Sequence, residues 1–277
     1  MSGETFYKMN GSGNDFLFLD GRTTSLESWP ADRIARVCAR RTGVGADGLI
    51  ILGPGSAPGR VTFTFFNSDG SPAPMCGNGA LCATRLSVLL GFPGTEGGQV
   101  GLETGAGVVR GTAAEGGEER AELALPDVGG IRWPEIAPAP GEDRAALAVV
   151  GVPHLVVPVQ DLEVAGLMAR GRELRFHAAI APAGANVSFV GQVDGQWAMR
   201  TYERGVEDET LACATGAVAC AAVLGAAGHG ALPWAVRSRA GTIITVAGQR
   251  GPGGEIRGTK VGGEAKLVYQ AMFGPAF

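Results

Sequence analysis

The chain has 277 residues, with 23 lysines and arginines against 27 aspartates and glutamates, and a formal net charge of −4. Hydrophobic residues make up 45% of it, which is enough for a substantial core and excludes an intrinsically disordered chain. The mildly acidic balance argues against a nucleic-acid-binding protein, and no apolar run approaches the roughly 20 residues that a membrane-spanning helix needs. The first ten residues lack the apolar stretch of a signal peptide.

The first half of the chain predicts alternating helices and strands. Residues 30–41 carry an apolar stripe behind a proline in the first turn, which predicts a helix. Residues 61–66 alternate as a half-buried strand does, and a turn signal follows at residues 67–70. A second helix is expected at residues 78–90, and residues 102–112 are typical of a hairpin.

The second half predicts the same order of elements. We expect a helix over residues 161–172 capped by Asp161, strands over 186–190 and 196–202, a helix over 215–227, and strands over 234–238 and 242–247. The stretch from residue 125 to residue 141 is rich in proline and glycine and is the expected boundary between the halves.

A short motif occurs once in each half. Cys76-Gly77-Asn78-Gly79-Ala80 and Cys213-Ala214-Thr215-Gly216-Ala217 both read Cys-x-x-Gly-Ala, and both open an apolar helix. Cys213 lies 137 positions after Cys76, about half the chain length. The sequence therefore predicts an internal duplication.

A cysteine at the start of a helix is suited to proton transfer. The free N–H groups and positive end of the helix lower the pKa of a thiol there and can hold a carboxylate. We expect Gly77, Gly79 and Gly216 to let backbone approach that carboxylate. Two such thiols on opposite faces of one α-carbon can invert it, one as the base and the other as the acid.

The other cysteines are expected to be structural. Cys38, Cys82 and Cys220 lie on apolar helix faces, where a free cysteine acts as a small hydrophobe. The odd total of five cysteines favours reduced thiols in the cytoplasm, and their spacing is not that of a zinc site, so no metal is expected. Two close thiols could instead form a redox pair.

Other features of the sequence give weaker indications of function. Residues 43–48 match the spelling of a dinucleotide-binding loop but follow a helix and precede a strand, so we expect only a glycine-rich loop. Only three lysines are present, at positions 8, 260 and 266, which leaves few candidates for a pyridoxal phosphate Schiff base.

Several separated segments together resemble the diaminopimelate epimerase family. They are Met9 to Phe16 (MNGSGNDF), Phe66 to Ser71 (FNSDGS), Cys76 to Ala80 (CGNGA), Tyr202 to Gly205 (YERG) and Ala212 to Ala217 (ACATGA). The resemblance implies an α+β fold of two pseudo-symmetric α/β-roll domains, each a mixed sheet wrapped around a central helix, with the active site in the cleft between them. We expect one domain at residues 1–125 with the strand 264–277, and the other at 126–263.

The resemblance also implies an activity. It is the cofactor-independent interconversion of LL- and meso-2,6-diaminopimelate in lysine and peptidoglycan precursor biosynthesis, by a cytoplasmic homodimeric isomerase that binds no nucleic acid or membrane. Residue roles are implied one by one: catalysis for Cys76 and Cys213; tuning of the thiol pKa values for His154 and Glu203; substrate binding for Asn14, Asn67, Gly77, Asn78, Asn186, Glu203, Arg204, Ala214 and Thr215; and a dimer contact for Tyr269.

Three positions depart from the family pattern. Val152 stands where an asparagine is frequent, Gly48 where some members have glutamine, and Ala214 where glycine is usual. Val152 keeps open a related racemase for another amino acid, such as histidine. The alternative of a different class is a thiol-redox or anion-binding module without turnover.

Overall fold

The computed structural model describes residues 3–164 and 166–274, and these form two compact units. The first unit runs up to Leu123 and resumes at Gly262, and the second runs from Ala124 to Val261. Both transitions lie two residues before the boundaries expected from the sequence. The stretch 125–141 belongs to the second unit, where Val128 forms a β-bridge with Ile256.

The part of the first unit before the second unit begins contains eight strands and two helices. In chain order they are β1 (Thr5–Gly11), β2 (Asn14–Asp20), α1 (Ala31–Cys38), β3 (Gly48–Pro54), β4 (Arg60–Asn67), β5 (Pro72–Ala73), α2 (Gly77–Leu89), β6 (Gln99–Thr104), β7 (Gly107–Ala113) and β8 (Arg120–Ala124). Strands β2 and β3 are parallel, as are β4 and β6, whereas β1–β2, β3–β4, β6–β7 and β7–β8 pair antiparallel.

The second unit has the same order of elements. They are β9 (Ala146–Val150), β10 (Val152–Pro158), α3 (Leu167–Arg175), β11 (Asn186–Val193), β12 (Gln196–Glu203), β13 (Asp208–Thr210), α4 (Ala214–Ala226), β14 (Trp234–Arg237), β15 (Ile243–Arg250) and β16 (Ile256–Glu264). Parallel pairs again join β10 to β11 and β12 to β14. A last strand, β17 (Lys266–Met272), pairs antiparallel with β1 and returns the chain to the first unit. Short 3₁₀ turns lie at Leu26–Ser28 and Ala178–Ile180.

The expected α+β class with mixed sheets is confirmed, and the structure shows a strong internal repeat. Helices α1 and α3 begin 136 positions apart, at Ala31 and Leu167, and helices α2 and α4 begin 137 positions apart, at Gly77 and Ala214. Matching parallel and antiparallel pairs accompany them in each unit.

Each unit encloses one apolar helix. Helix α2 contacts strands β1 to β4, β6, β7 and β17, and helix α4 contacts β9, β10, β11 and β15. Nine consecutive residues of α4, from Gly216 to Leu224, are buried. A helix that is apolar on all faces needs partners on all sides, and here the strands provide them.

The helices α1 and α3 cover the other faces of the sheets. Strand side chains alternate between the two faces, so Leu155 and Val157 of β10 pack in a cluster with Leu167 and Leu174 of α3. His154, one residue before Leu155, points to the opposite face.

The expected helix over residues 161–172 was wrong at its start. Helix α3 begins at Leu167, after Gly166 with a φ of +86°, which only glycine adopts easily. The Asp161 carboxylate instead accepts the N–H of Glu163 and closes a turn. Residues 30–41 also form a shorter helix than expected, because the chain turns after Cys38. Among the described residues, no helix is long and apolar enough to cross a membrane.

Candidate active site

In the first unit, Cys76 stands immediately before helix α2. Its backbone is extended (φ −137°, ψ 126°), and its carbonyl accepts the N–H of Ala80 at 2.8 Å, which begins the helix. Its side chain is half-buried. The thiol thus lies where the sequence placed it, at the N-terminus of a buried helix.

Asn14 and Asn78 meet beside this helix start. The side-chain amide of Asn78 donates to Oδ1 of Asn14 at 2.7 Å, and the amide of Asn14 donates to Oδ2 of Asp47 at 2.9 Å. Asn67, also expected to bind substrate, lies at the end of β4, where its amide donates to the Ser71 hydroxyl at 3.0 Å. The structure therefore joins two of the three asparagines directly and places the third in a turn.

In the second unit, Cys213 stands before helix α4 in the matching position. Its backbone is extended (φ −134°, ψ 105°), and its carbonyl accepts the N–H of Ala217 at 3.0 Å. Its sulfur lies 3.6 Å from the hydroxyl of Thr215. Unlike Cys76, the Cys213 side chain is buried.

The expected lowering of the pKa of Cys213 was wrong. Burial, together with the charge of Glu203, raises the pKa of Cys213 to about 12. Hydrogen bonds from the Thr215 hydroxyl and from the N–H groups of Thr215 and Gly216 oppose this effect without overcoming it. The thiol of Cys213 is therefore protonated at neutral pH.

A row of hydrogen bonds joins Thr215 to the neighbouring strands. The Arg204 N–H donates to Oδ1 of Asn186 at 2.7 Å, which turns the Asn186 amide group toward Nε2 of His154 at 3.3 Å. Nε2 also lies 2.9 Å from the Thr215 hydroxyl. Since the Asn186 amide is a donor, Nε2 must accept, and we assign the ring hydrogen to Nδ1.

The titration of His154 and Glu203 is governed by burial. Burial and the charge of Arg204 lower the pKa of His154 to about 3, so the ring is neutral at pH 7. Burial raises the pKa of Glu203 above its usual value. The charge of Glu203 acts on Cys213, while His154 reaches Cys213 only through Thr215, and the tuning role of both residues stays a prediction.

Two of the glycines expected to let backbone approach the carboxylate also lie close to neighbouring strands. A Cβ at Gly79 would lie 2.9 Å from Cδ1 of Ile50, and a Cβ at Gly216 would lie 3.0 Å from the hydroxyl of Ser188. Both glycines therefore let the helices pack closely on the strands.

Sequence reasoning missed a charged cluster behind Asn14. It consists of Lys8, Asp15, Arg40 and Asp47. Burial alone would raise the pKa of Asp15, but hydrogen bonds from Arg40 and Lys8 outweigh it, and the pKa lies below its usual value. The available signal was that Asp15 lies within the motif from Met9 to Phe16 and Asp47 in the glycine-rich loop of residues 43–48.

The structural cysteines are as expected. Cys38, Cys82 and Cys220 are buried, and burial raises the pKa of each. Among the residues that the structure describes, no group of three or more histidine, cysteine, aspartate or glutamate side chains could hold a metal ion.

Comparison with known proteins decides the family. The family model described as diaminopimelate epimerase matches residues 6–122 and 146–254. The chain belongs to the diaminopimelate epimerase family. It is 44% identical over 225 residues to the diaminopimelate epimerase of Gemmatimonas aurantiaca, with 79% of each chain covered. It is 42% identical over 255 residues to that of Aquifex aeolicus, covering 87% of this chain and 88% of the relative.

Solved structures share the fold of this family member at low identity. A phenazine biosynthesis protein of the PhzF family from Bacillus anthracis has a TM-score of 0.72 and 13% identity, with 99% of each chain covered. A hydroxyproline epimerase from Agrobacterium vitis has a TM-score of 0.62 and 19% identity, covering 98% of this chain and 91% of that one. The diaminopimelate epimerase fold thus also occurs in proteins of other names.

Proposed function

We propose that this protein interconverts LL- and meso-2,6-diaminopimelate by proton transfer at the α-carbon. The observation that carries the proposal is the repeated helix start, with Cys76 before α2 and Cys213 before α4, in a member of this family. One thiolate removes the α-proton and the other thiol returns a proton to the opposite face. Proton count balances, because the thiolate becomes a thiol and the thiol becomes a thiolate.

The two cysteines are distinguished in the resting protein. Cys213 is buried and protonated, which suits it to deliver a proton, while Cys76 is more open. After it delivers its proton, the thiol of Cys213 becomes a thiolate. The negative charge of Glu203 disfavours this thiolate and so favours its return to the protonated form. We therefore propose that Cys76 is the base for the first proton removed by the resting enzyme.

The substrate groups have complementary partners on the chain. We propose that the reacting carboxylate is held by the N–H groups of residues 77–78 and 214–215, because helix N-termini bind anions. Glu203 suits the α-ammonium. The guanidinium of Arg204 suits the distal carboxylate, which it can bind with two parallel hydrogen bonds.

The carbanionic transition state needs stabilisation from the protein itself in this proposal. No cofactor is invoked, so fixed N–H groups in a water-excluded site must stabilise the negative charge that spreads onto the carboxylate. Loss of one such donor in other enzymes costs about 100- to 1000-fold in kcat. Asn14, Asn67 and Asn186 would supply further contacts to the polar groups of the substrate.

The direct test is conversion of LL-diaminopimelate by the purified, reduced protein without added cofactor. We expect the meso form to accumulate until the forward and reverse rates of interconversion are equal. Loss of conversion in both Cys76→Ser and Cys213→Ser would support the assignment of the thiols. A folded, reduced wild-type sample that produces no meso form would refute the proposal.

A second substrate is favoured by one observation. Val152, at the start of β10 and two residues before His154, offers no side-chain hydrogen bond where the family frequently has an asparagine. A racemase for another amino acid would show higher kcat/KM with that amino acid than with diaminopimelate. A panel that includes histidine distinguishes the two. A redox module, in contrast, would respond to oxidants and show no α-proton exchange with any amino acid.

We also propose a cytoplasmic homodimer. Five free cysteines suit a reducing compartment. Tyr269 lies on the strand β17, where it is 41% exposed and packs edge-on against Phe6 at 6.0 Å between ring centroids. Val268 and Met272, which alternate onto the other face of the strand, are also exposed, so both faces of β17 carry exposed apolar side chains.

A further inference from the structure

Four charged side chains form a row of alternating sign in the first unit. Nζ of Lys8 lies 2.6 Å from Oδ2 of Asp15, and Nη2 of Arg40 lies 2.7 Å from Oδ1 of Asp15 and 2.6 Å from Oδ1 of Asp47. Lys8 is buried and also donates to the carbonyl of Gly45, whereas Arg40 is 59% exposed in its side chain. The row is therefore anchored in the core at Lys8 and exposed to solvent at Arg40.

Asp47, at the end of this row, determines the orientation of the side-chain amides of Asn14 and Asn78. An ionised carboxylate only accepts hydrogen bonds. Oδ2 of Asp47 accepts from the Asp15 N–H at 3.2 Å and from the Asn14 amide group at 2.9 Å. Asn14 must therefore turn its NH₂ group to Asp47 and its oxygen to Asn78, whose NH₂ group donates to it at 2.7 Å.

This chain of contacts links three separate parts of the fold. Asn14 begins β2, Asp47 immediately precedes β3, and Asn78 is in the first turn of α2, two positions after Cys76. None of these segments is adjacent to another in sequence. A single carboxylate thereby sets the direction of two amides at the cysteine-bearing helix start.

We propose that Asp47, held in place by Arg40, is a positioning residue that fixes the amide orientation of Asn14 and Asn78. The effect on turnover rests on the proposed function, in which both asparagines contact the substrate. The orientation of the amides does not rest on it and is measurable without substrate. Correct placement matters because an error of about 1 Å at a reacting group can cost roughly 100-fold in rate.

The test uses Asp47→Asn in the full-length protein, with Asp32→Asn as the matched control. Asp32 forms an ion pair with Arg36 at 2.6 Å on α1 in the same unit, and both side chains are exposed. An asparagine at position 47 keeps the shape and removes the charge, so it can offer Asn14 either a donor or an acceptor.

The first readout is spectroscopic. The chain has only five asparagines, at positions 10, 14, 67, 78 and 186, so ¹⁵N-asparagine labelling gives five side-chain NH₂ pairs in the wild-type protein and one additional pair in each Asp→Asn variant. We expect Asp47→Asn to shift the pairs of Asn14 and Asn78 and to leave that of Asn186, in the other unit, in place. Asp32→Asn should move none of them. Unchanged Asn14 and Asn78 signals in Asp47→Asn would overturn the proposal.

The second readout is the kinetics with LL-diaminopimelate. We expect kcat/KM to fall roughly tenfold to 100-fold in Asp47→Asn, with a rise in KM, and to stay within about twofold in Asp32→Asn. A variant that merely unfolds in part would lower kcat at constant KM. Wild-type kcat/KM in Asp47→Asn would overturn the positioning role. An inactive wild-type protein would instead refute the proposed function, while the amide signals would still test the orientation.

A second variant guards against misfolding of the first. Arg40→Gln changes a mostly exposed side chain and removes the cation between Asp15 and Asp47. We expect it to shift the same two amide pairs and to lower kcat/KM less than Asp47→Asn does. The double variant should lose no more than Asp47→Asn alone, because both changes act through one carboxylate. If the fold-losses in kcat/KM of the two single variants multiplied in the double variant, the proposal would be contradicted.

Discussion

Burial is the main cause of the raised pKa of Cys213, and Glu203 is the charged residue that adds to it. The carboxylate raises the pKa of Cys213 in addition to the effect of burial, so its removal should lower that pKa. Below its pKa, a thiol reacts with iodoacetamide in proportion to its thiolate fraction.

Glu203→Gln is therefore expected to speed alkylation of Cys213 at pH 8. We expect an increase of about three- to tenfold, since one pKa unit corresponds to a tenfold change in thiolate. Mass spectrometry of the Cys213 peptide over time measures the rate. Glu207→Gln, which changes an exposed carboxylate nearby, is the control and should leave the rate unchanged. Equal or slower alkylation in Glu203→Gln would show that the charge does not act on the thiol.

The sequence predicted where the two cysteines lie in the fold, but it did not predict the pKa of Cys213. Both cysteines stand at helix starts, as the Cys-x-x-Gly-Ala motif indicated. The predicted direction of the pKa shift of Cys213 was wrong. The shift depends on how deeply the sulfur is buried, and that burial is set by strands distant in sequence. The same limit hid Asp47, whose partner Asn14 is 33 residues away.

At the scale of elements, the close approach of β1 to helix α2 fixes the helix start. A Cβ at Gly11 would lie 2.6 Å from the carbonyl oxygen of Asn78 and 2.9 Å from Sγ of Cys82. The carbonyl belongs to the first turn of α2 and cannot move without displacing it.

Gly11→Ala is therefore expected to lower the free energy of unfolding by about 1–3 kcal/mol, the usual cost of overpacking. Chemical denaturation measures this change, and kcat/KM should fall with it because the turn carries Asn78. Gly97→Ala is the control, because a Cβ there meets no atom within 4 Å. If the two variants proved equally stable and active, β1 would not constrain the helix start.

Elements were predictable where their signals were local. Periodicity and stop residues located α2 and α4 to within about one residue of the observed ends. The start of α3 was missed because Asp161 has the chemistry of a helix cap but closes a turn, and the left-handed Gly166 delays the helix. Local patterns do not distinguish these two uses of an aspartate.

At the scale of the molecule, the repeat of strands and helices was foreseeable from one five-residue motif. The corrected start of α3 strengthens it, since both pairs of helices are now offset by 136 and 137 positions. The return of β17 to pair with β1 was foreseeable only from the family resemblance, because strand pairing across the chain leaves no local trace.

The proposed dimer makes a prediction of its own. Tyr269→Glu would place a charge on the exposed apolar surface of β17, so we expect the dimer to weaken. Sedimentation equilibrium should then report a mass falling from twice 28.2 kDa toward a single chain. Val108→Glu, on an exposed position of β7, should leave the mass unchanged. A wild-type protein that sediments as a monomer would exclude the dimer.

The central claim is that two thiols, acting from opposite faces, exchange roles in each turnover. Epimerisation of LL-diaminopimelate in deuterated water, followed by NMR and mass spectrometry at early conversion, tests it most directly. We predict that the meso product carries one α-deuterium while the remaining LL substrate stays unlabelled, because the acid that delivers the label differs from the base that removed the proton. Deuterium appearing first in the recovered LL substrate, or product that retains its original α-proton, would contradict the two-thiol account.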